Sequence, residues 1–229
     1  MYQYLISIKK KPDKIIILGT STSMWDAWYD VDEALFTDEN IESATNLNKK
    51  IEAGAVLEDL KPLESALSTN FNANVICQII PYGQTVEEQV EILSCIKNEI
   101  DKDDDIVIDV THGLRHLPML ELLSTFLLKH SSNIRMSGIY YGAFELKDNA
   151  LGETPAVRLD GLYNFNQWIE AVSVLETTGS VIKLSKLPEM AEISEDLLTY
   201  NFYDQTNDVG QGKKIAQKIL RFVRSLSEN

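Results

Sequence analysis

Four short runs of apolar, often β-branched residues punctuate the first two thirds of the chain: Lys14 to Leu18, Asn74 to Ile80, Asp105 to Val110 and Ile134 to Tyr141. Between them, apolar residues recur at helical rather than alternating spacing. Ile51 to Leu67 and Thr85 to Ile100 are predicted helices, the second with Val86, Val90, Leu93 and Ile96 on one stripe. Thr85 is its predicted N-cap, with Glu88 three residues on as the capping-box partner. Leu114 to His130 is a third predicted helix, and Pro118 is tolerable only in its first turn. Strands alternating with helices predict an α/β fold built on a mostly parallel, doubly wound sheet flanked by helices.

The fourth strand runs into Gly142-Ala143-Phe144-Glu145, a polar turn at Lys147-Asp148-Asn149, and a second extended run from Thr154 to Leu159. Two extended runs around a polar turn predict an antiparallel hairpin at the sheet edge. The pattern changes after Leu162. Phe165 to Glu176 is a predicted amphipathic helix broken by Gly179, and Pro188 to Asn229 is predicted helical with a loop near Asn207 to Gly212. The expected organisation is a ligand-binding domain over residues 1–163 and a helical C-terminal extension over 164–229. Neither internal repeats nor low-complexity linkers interrupt it.

Composition narrows the function classes. With 229 residues and 44% apolar content, the chain can bury a full core. No apolar run reaches the ~18 residues of a membrane span, and Met1-Tyr2-Gln3-Tyr4 lacks a secretory pattern. A cytoplasmic protein without a membrane partner is expected. The formal charge of −14 argues against coating long nucleic acid, since the polyelectrolyte term opposes binding over most of the surface. A small anionic ligand in a local pocket remains compatible with it. Cys77 and Cys95 match no disulfide framework and no zinc spacing, and both are read as reduced packing residues.

Two loops carry candidate chemistry. The third strand enters Thr111-His112-Gly113-Leu114-Arg115, a turn with a hydroxyl, an imidazole, a glycine and an arginine, followed by a helix-forming run. In an open α/β sheet, ligands collect outside the carboxyl ends of the strands, where a helix N-terminus presents unpaired N–H groups to anions. Gly113 permits close backbone approach, Thr111 offers a hydroxyl, and Arg115 can fork two N–H bonds onto a phosphate. The first strand likewise ends in Gly19-Thr20-Ser21-Thr22-Ser23-Met24-Trp25-Asp26, with four consecutive hydroxyls for phosphate or ribose and an indole for a base. It is not a P-loop, because no Gly-Lys-Ser or Gly-Lys-Thr follows. Ordinary turn chemistry for the hydroxyls, and packing for Trp25, are the competing readings.

The spacing of His112 and His116 would put two ligands on one helix face. No glutamate general base lies between them, however, and Arg115 would bring a cation beside the metal. No metal and no cofactor are therefore expected, and His116 is read as structural. Asp109 is read as a strand-end residue that orients the loop by accepting backbone N–H bonds. No Ser-His-Asp or Cys-His set emerges. The basic segment Lys213 to Arg224 is read as an ordinary helix packed by Ile215, Ile219, Phe222 and Val223.

As an ordered set these motifs resemble the CRISPR-associated Rossmann-fold (CARF) sensor family, in the branch usually fused to a HEPN ribonuclease. The matching pieces are Asp13 to Thr20 with Ser23-Met24-Trp25-Asp26, then Asp109 to Arg115 with Leu117-Pro118. Gly138 to Glu145, and Thr154-Pro155 with Trp168 to Val172, complete the set, which covers most of residues 13 to 175. The resemblance implies a Rossmann-like homodimer of a type III CRISPR antiviral system that binds cyclic tetra- or hexa-adenylate at the dimer interface. Carried onto this sequence, its ligand-binding residues are Gly19, Thr20, Ser21, Ser23, Met24, Trp25, Thr111, His112, Gly113, Arg115 and Tyr141.

Within that resemblance two further readings stand beside the sensor. One is a ring nuclease cleaving its own ligand by metal-independent attack of a ribose 2′-hydroxyl, with Ser21, Ser23, His112 and Arg115 as candidate catalytic groups. The other is a CARF-linked transcription regulator, resting on the basic C-terminal helix. A HEPN nuclease uses an arginine followed by a histidine, and the last histidine here is His130. Members of the family usually begin with an extra strand and a glycine-rich loop, and Tyr4 to Ile8 is expected to be too short for both.

Overall fold

The computed structural model describes residues 11–111, 116–147 and 154–226. The expectations for Tyr4 to Ile8, for His112 to Arg115 and for the Asp148-Asn149 end of the hairpin turn lie outside the described residues. The chain forms two compact units, Met1–Arg158 and Leu159–Asn229.

In the first unit the apolar runs become β1 (Lys14–Gly19), β2 (Asn74–Ile79), β3 (Asp105–Asp109) and β4 (Arg135–Gly142), joined by a short β5 (Ala156–Arg158). β1 pairs with β2 in parallel, from Lys14 opposite Asn74 to Gly19 opposite Ile79. β3 pairs with β4 in parallel, with an irregularity between Ile106 and Val107. β4 and β5 run antiparallel, Tyr140 opposite Arg158 and Gly142 opposite Ala156, which is the predicted edge hairpin. Among the described residues these make two hydrogen-bonded ladders, β1-β2 and β3-β4-β5. One apolar cluster draws on both: Ile80, Ile92, Ile96, Leu117, Leu128 and Ile134 are buried together, with Leu18 of β1 and Ile106 of β3 packed against them. The alternation of strand and helix, with parallel pairing, is the Rossmann-like α/β arrangement that the sequence pattern predicts.

The helices correct the sequence reading in several places. The run Ile51 to Leu67 is not one helix: α1 (Asp38–Ala53) ends at Gly54, and α2 (Lys61–Phe71) begins only after a 3-10 turn over Leu57–Leu60. Gly54 takes φ +90°, a conformation that stops a helix and suits glycine, and Pro62 sits in the first turn of α2, where its missing N–H costs nothing. α1 escapes a periodicity search because Leu47 is its one fully buried residue; its start is marked instead by Thr37, whose hydroxyl accepts from Asn40 N at 3.2 Å.

In α3 (Val86–Glu99) Thr85 is the N-cap, accepting from Glu88 N at 3.2 Å. The Glu88 carboxylate reaches one residue further back than a capping box requires, to Gln84 N at 2.7 Å. The predicted stripe is also rotated. Ile92 and Ile96 point into the core, whereas Val86 and Val90 are exposed. α4 (Leu117–Ser132) carries Pro118 in its first turn, as its sequence demands. Both cysteines are free thiols; burial first, then the Glu64 carboxylate, pushes the Cys77 thiol up to about 12, which makes it an inert packing residue.

The second unit is helical. α5 spans Asp160–Thr178, starting five residues before the predicted Phe165 and ending at Gly179 in the left-handed conformation. Two 3-10 turns lead into α6 (Ser194–Gln205), and α7 (Val209–Leu226) follows a break at Thr206 to Asp208, so the predicted loop near Asn207 to Gly212 is shorter than expected. Asp208 explains the shortening, since its carboxylate accepts from Gln211 N at 3.1 Å and caps the new helix early. Ala171, Val181, Leu187, Met190, Ile193 and Leu197 form the core of this unit, with Ile219 and Phe222 of α7 packed against it. Val223, expected in that row, is exposed. Lys218 pairs with Asp196 at 2.6 Å, so part of the basic face of α7 is satisfied within the unit. Among the described residues no helix is long and apolar enough to cross a membrane.

Candidate functional site

The β1 loop is folded around Trp25. Its ring is only 1% exposed, its Nε1–H donates to the Thr20 carbonyl at 2.9 Å, and a Cβ on Gly19 would stand 2.7 Å from Cζ2. Gly19 is therefore glycine because the indole occupies the space of a side chain. Ser23 closes the same turn: its hydroxyl accepts from Thr20 N at 2.8 Å and meets the Thr20 hydroxyl at 3.1 Å, while Ser23 N donates to Thr20 O at 3.1 Å. Thr20, Ser23 and Trp25 are thus committed to building the loop, and the indole turns no face outward. Ser21 is partly exposed, and Thr22 and Met24 stand out into solvent. Asp26 accepts from Asn48 Nδ2 at 2.7 Å, which ties the loop to α1.

At the end of β3, Asp109 acts as its position predicts. Its Oδ1 accepts from Thr111 N at 3.0 Å and from the Thr111 hydroxyl. That hydroxyl in turn accepts from Gly142 N at 2.8 Å, and a Cβ on Gly142 would come within 3.0 Å of Thr111 Cγ2. The Thr111 proton is therefore engaged by Asp109, and the side chain latches the β3 loop to the end of β4. Thr111→Val is expected to lower stability by about 1 kcal/mol, because it leaves the Gly142 N–H and the Asp109 oxygen each short of a partner; urea denaturation measures it, and a Val variant as stable as wild type contradicts the latch. His112, Gly113 and Arg115 lie outside the described residues.

Tyr82, which sequence reasoning passed over, links the β1 loop to the start of α4. β2 makes its last bond to β1 through Ile80 N and Gly19 O, at 2.9 Å. Two residues later the Tyr82 hydroxyl meets the Thr22 hydroxyl of the β1 loop, and the Tyr82 carbonyl bonds His116 Nε2 at 2.6 Å at the start of α4. A carbonyl only accepts, so His116 carries its proton on Nε2, the structural role read from sequence. Gly83, at φ +74°, lets the chain turn beneath this imidazole, whose Nε2 would lie 3.2 Å from a Cβ there. Among the described residues no group of three His, Cys, Asp or Glu side chains is placed to hold a metal ion.

Two further groups complete the surroundings. Tyr141, at the end of β4, donates its hydroxyl to Glu145 at 2.8 Å, and that bond holds its phenol above the ordinary range. Glu121, in the second turn of α4, has its carboxyl pushed up to about 7, first by burial and then by the Asp109 carboxylate. Nothing in the sequence marks Glu121 beyond its place one turn past Leu117 in an otherwise apolar run.

α3 and α4 leave an open apolar groove between them, lined by Val86, Val90, Leu93, Leu120, Leu123 and Leu127. α3 begins just after the Tyr82 turn, and α4 just after His116.

Residues 2–145 match the family described as CRISPR system endoribonuclease Csx1, CARF domain. The chain is also similar to the CRISPR-associated protein MJ1674 of Methanocaldococcus jannaschii, with 29% identity covering 87% of this chain and 34% of that protein. The chain therefore spans about a third of the length of the curated relative it matches.

Proposed function

Because this chain belongs to the CARF-domain family of CRISPR systems, we propose that it is a sensor of type III CRISPR defence that binds a cyclic oligoadenylate across a homodimer. The observation that carries the reading is that the Gly19 to Trp25 loop follows one parallel strand and Thr111 another, with the Tyr82 turn bonded both to Thr22 and to His116 at the start of α4. The carboxyl ends of such strands are where an open α/β sheet takes its ligands. A ring of phosphates and adenines needs several donors, a few cations and faces for its bases, all of which can be local in a protein of charge −14. The site residues proposed here are those of the resemblance. Gly19, Thr20, Ser23, Trp25 and Thr111 shape the loops, whereas Ser21, Met24 and Tyr141, with His112, Gly113 and Arg115, are the contacting set.

The partner is a second copy of this chain. Four or six phosphates are too many for one shallow pair of loops, and an isologous dimer doubles each loop about a two-fold axis that a cyclic ligand can share. The α3-α4 groove supports the same partner, since its exposed apolar side chains at Val86, Val90, Leu123 and Leu127 make a face that a second copy would cover. Sedimentation of the pure protein is expected to give a dimer, and cyclic tetra- or hexa-adenylate is expected to raise its melting temperature with ligand concentration. A monomer that binds one ring per chain and stays monomeric at saturation overturns the arrangement; no binding of either ring overturns the function.

A further inference from the structure

The sequence offers Trp25 as the aromatic face for a base, and the fold encloses it. Another aromatic stands where that face is needed. Tyr82 is 38% exposed, its hydroxyl meets Thr22 on one motif loop and its carbonyl meets His116 beside the other. It comes from a loop that carries no motif, Pro81-Tyr82-Gly83-Gln84, at the carboxyl end of β2. The Thr22 hydroxyl first, then those of Thr20 and Ser21, hold its phenol below the ordinary range, in keeping with the bond between its hydroxyl and that of Thr22. The backbone beneath it is fixed by the His116 bond and by the left-handed turn at Gly83.

We propose that Tyr82 is a ligand-binding residue of the site, the aromatic platform on which a base of the bound oligonucleotide stacks. The inference rests on the nucleotide-ring reading above and names the group that meets its bases. A ring pinned at its hydroxyl and at its backbone loses little freedom on binding, which suits a stacking surface. Base stacking on an aromatic side chain is worth about 1–3 kcal/mol, and it tolerates loss of the hydroxyl but not of the ring.

Isothermal titration of the full chain with cyclic tetra-adenylate and cyclic hexa-adenylate tests this. Tyr82→Phe is expected to bind within about twofold of wild type, and Tyr82→Leu about tenfold or more weakly, with melting temperatures near wild type because the residue is well exposed. Tyr82→Trp retains a platform, and the emission it adds is expected to be quenched when either ring binds. Wild-type affinity in Tyr82→Leu overturns the proposal, as does a Phe variant as weak as Leu, which would make the Thr22 tether the whole effect. Absence of quenching in a Tyr82→Trp variant that binds the ring overturns it even where the Leu variant fails to fold. Failure of the wild type to bind either ring instead removes the reading beneath it.

Discussion

Arg115→Ala is expected to weaken binding of cyclic oligoadenylate by about 1.5–3 kcal/mol, the range for a charge-assisted hydrogen bond, while leaving the fold intact. The molecule carries −14 overall, and the β3 loop opens on Asp109, with Glu121 close enough to sense its carboxylate. A phosphate brought to that loop needs a cation, and Arg115 is the cation that the loop sequence supplies. A guanidinium also forks two N–H bonds onto one phosphate, whereas an ammonium offers a point charge, so Arg115→Lys is expected to recover only part of the loss. Titration calorimetry decides: unchanged affinity in a folded Ala variant makes Arg115 a structural residue.

How far this site could be read from the sequence depended on the kind of feature. β1 to β4 were legible nearly to the residue because each is a compact apolar run bounded by charge or by a turn. The motif loops were legible because Gly-Thr-Ser and Thr-His-Gly follow such runs directly. What the side chains in those loops do was not, since Thr111, Ser23 and Trp25 look like donors and faces until tertiary contacts claim them. The spacing from Gly19 to Trp25 held a clue: a glycine at a strand end six residues before a tryptophan fits a ring folded back on the backbone, as the 2.7 Å approach shows. Tyr82 was invisible for the opposite reason, because its importance lies in two long-range bonds, to Thr22 and His116. Its one local signal is the Pro81-Tyr82-Gly83 turn at a strand's carboxyl end. α1 was missed because its helix is mostly polar, and the α3 stripe was rotated because periodicity fixes a face without saying what it faces. Val86 and Val90 belong to a surface that the monomer leaves open.

Glu121→Gln is expected to make the protein more stable than wild type at pH 8 and nearly indistinguishable from it at pH 5. The folded-state carboxyl titrates at about 7 against an ordinary value of 4.5, raised by burial and by Asp109. A carboxyl whose pKa is higher folded than unfolded contributes its stability fully below the unfolded value and loses it as pH rises through the folded one. The window is therefore about pH 4.5 to 7, and the shift corresponds to at most about 3 kcal/mol, with solvent at this partly buried side chain reducing it. Gln keeps the shape and the hydrogen-bonding capacity without the charge, so the difference between the two proteins isolates Glu121 from all other titrating groups. The same shift bears on the site. If the proposed ligand's phosphates approach this part of the unit, a protonated Glu121 adds no negative charge to repel them. Denaturant unfolding of both proteins across pH 5 to 8 measures the effect: curves that diverge with rising pH are the expected result, and parallel curves contradict the raised pKa.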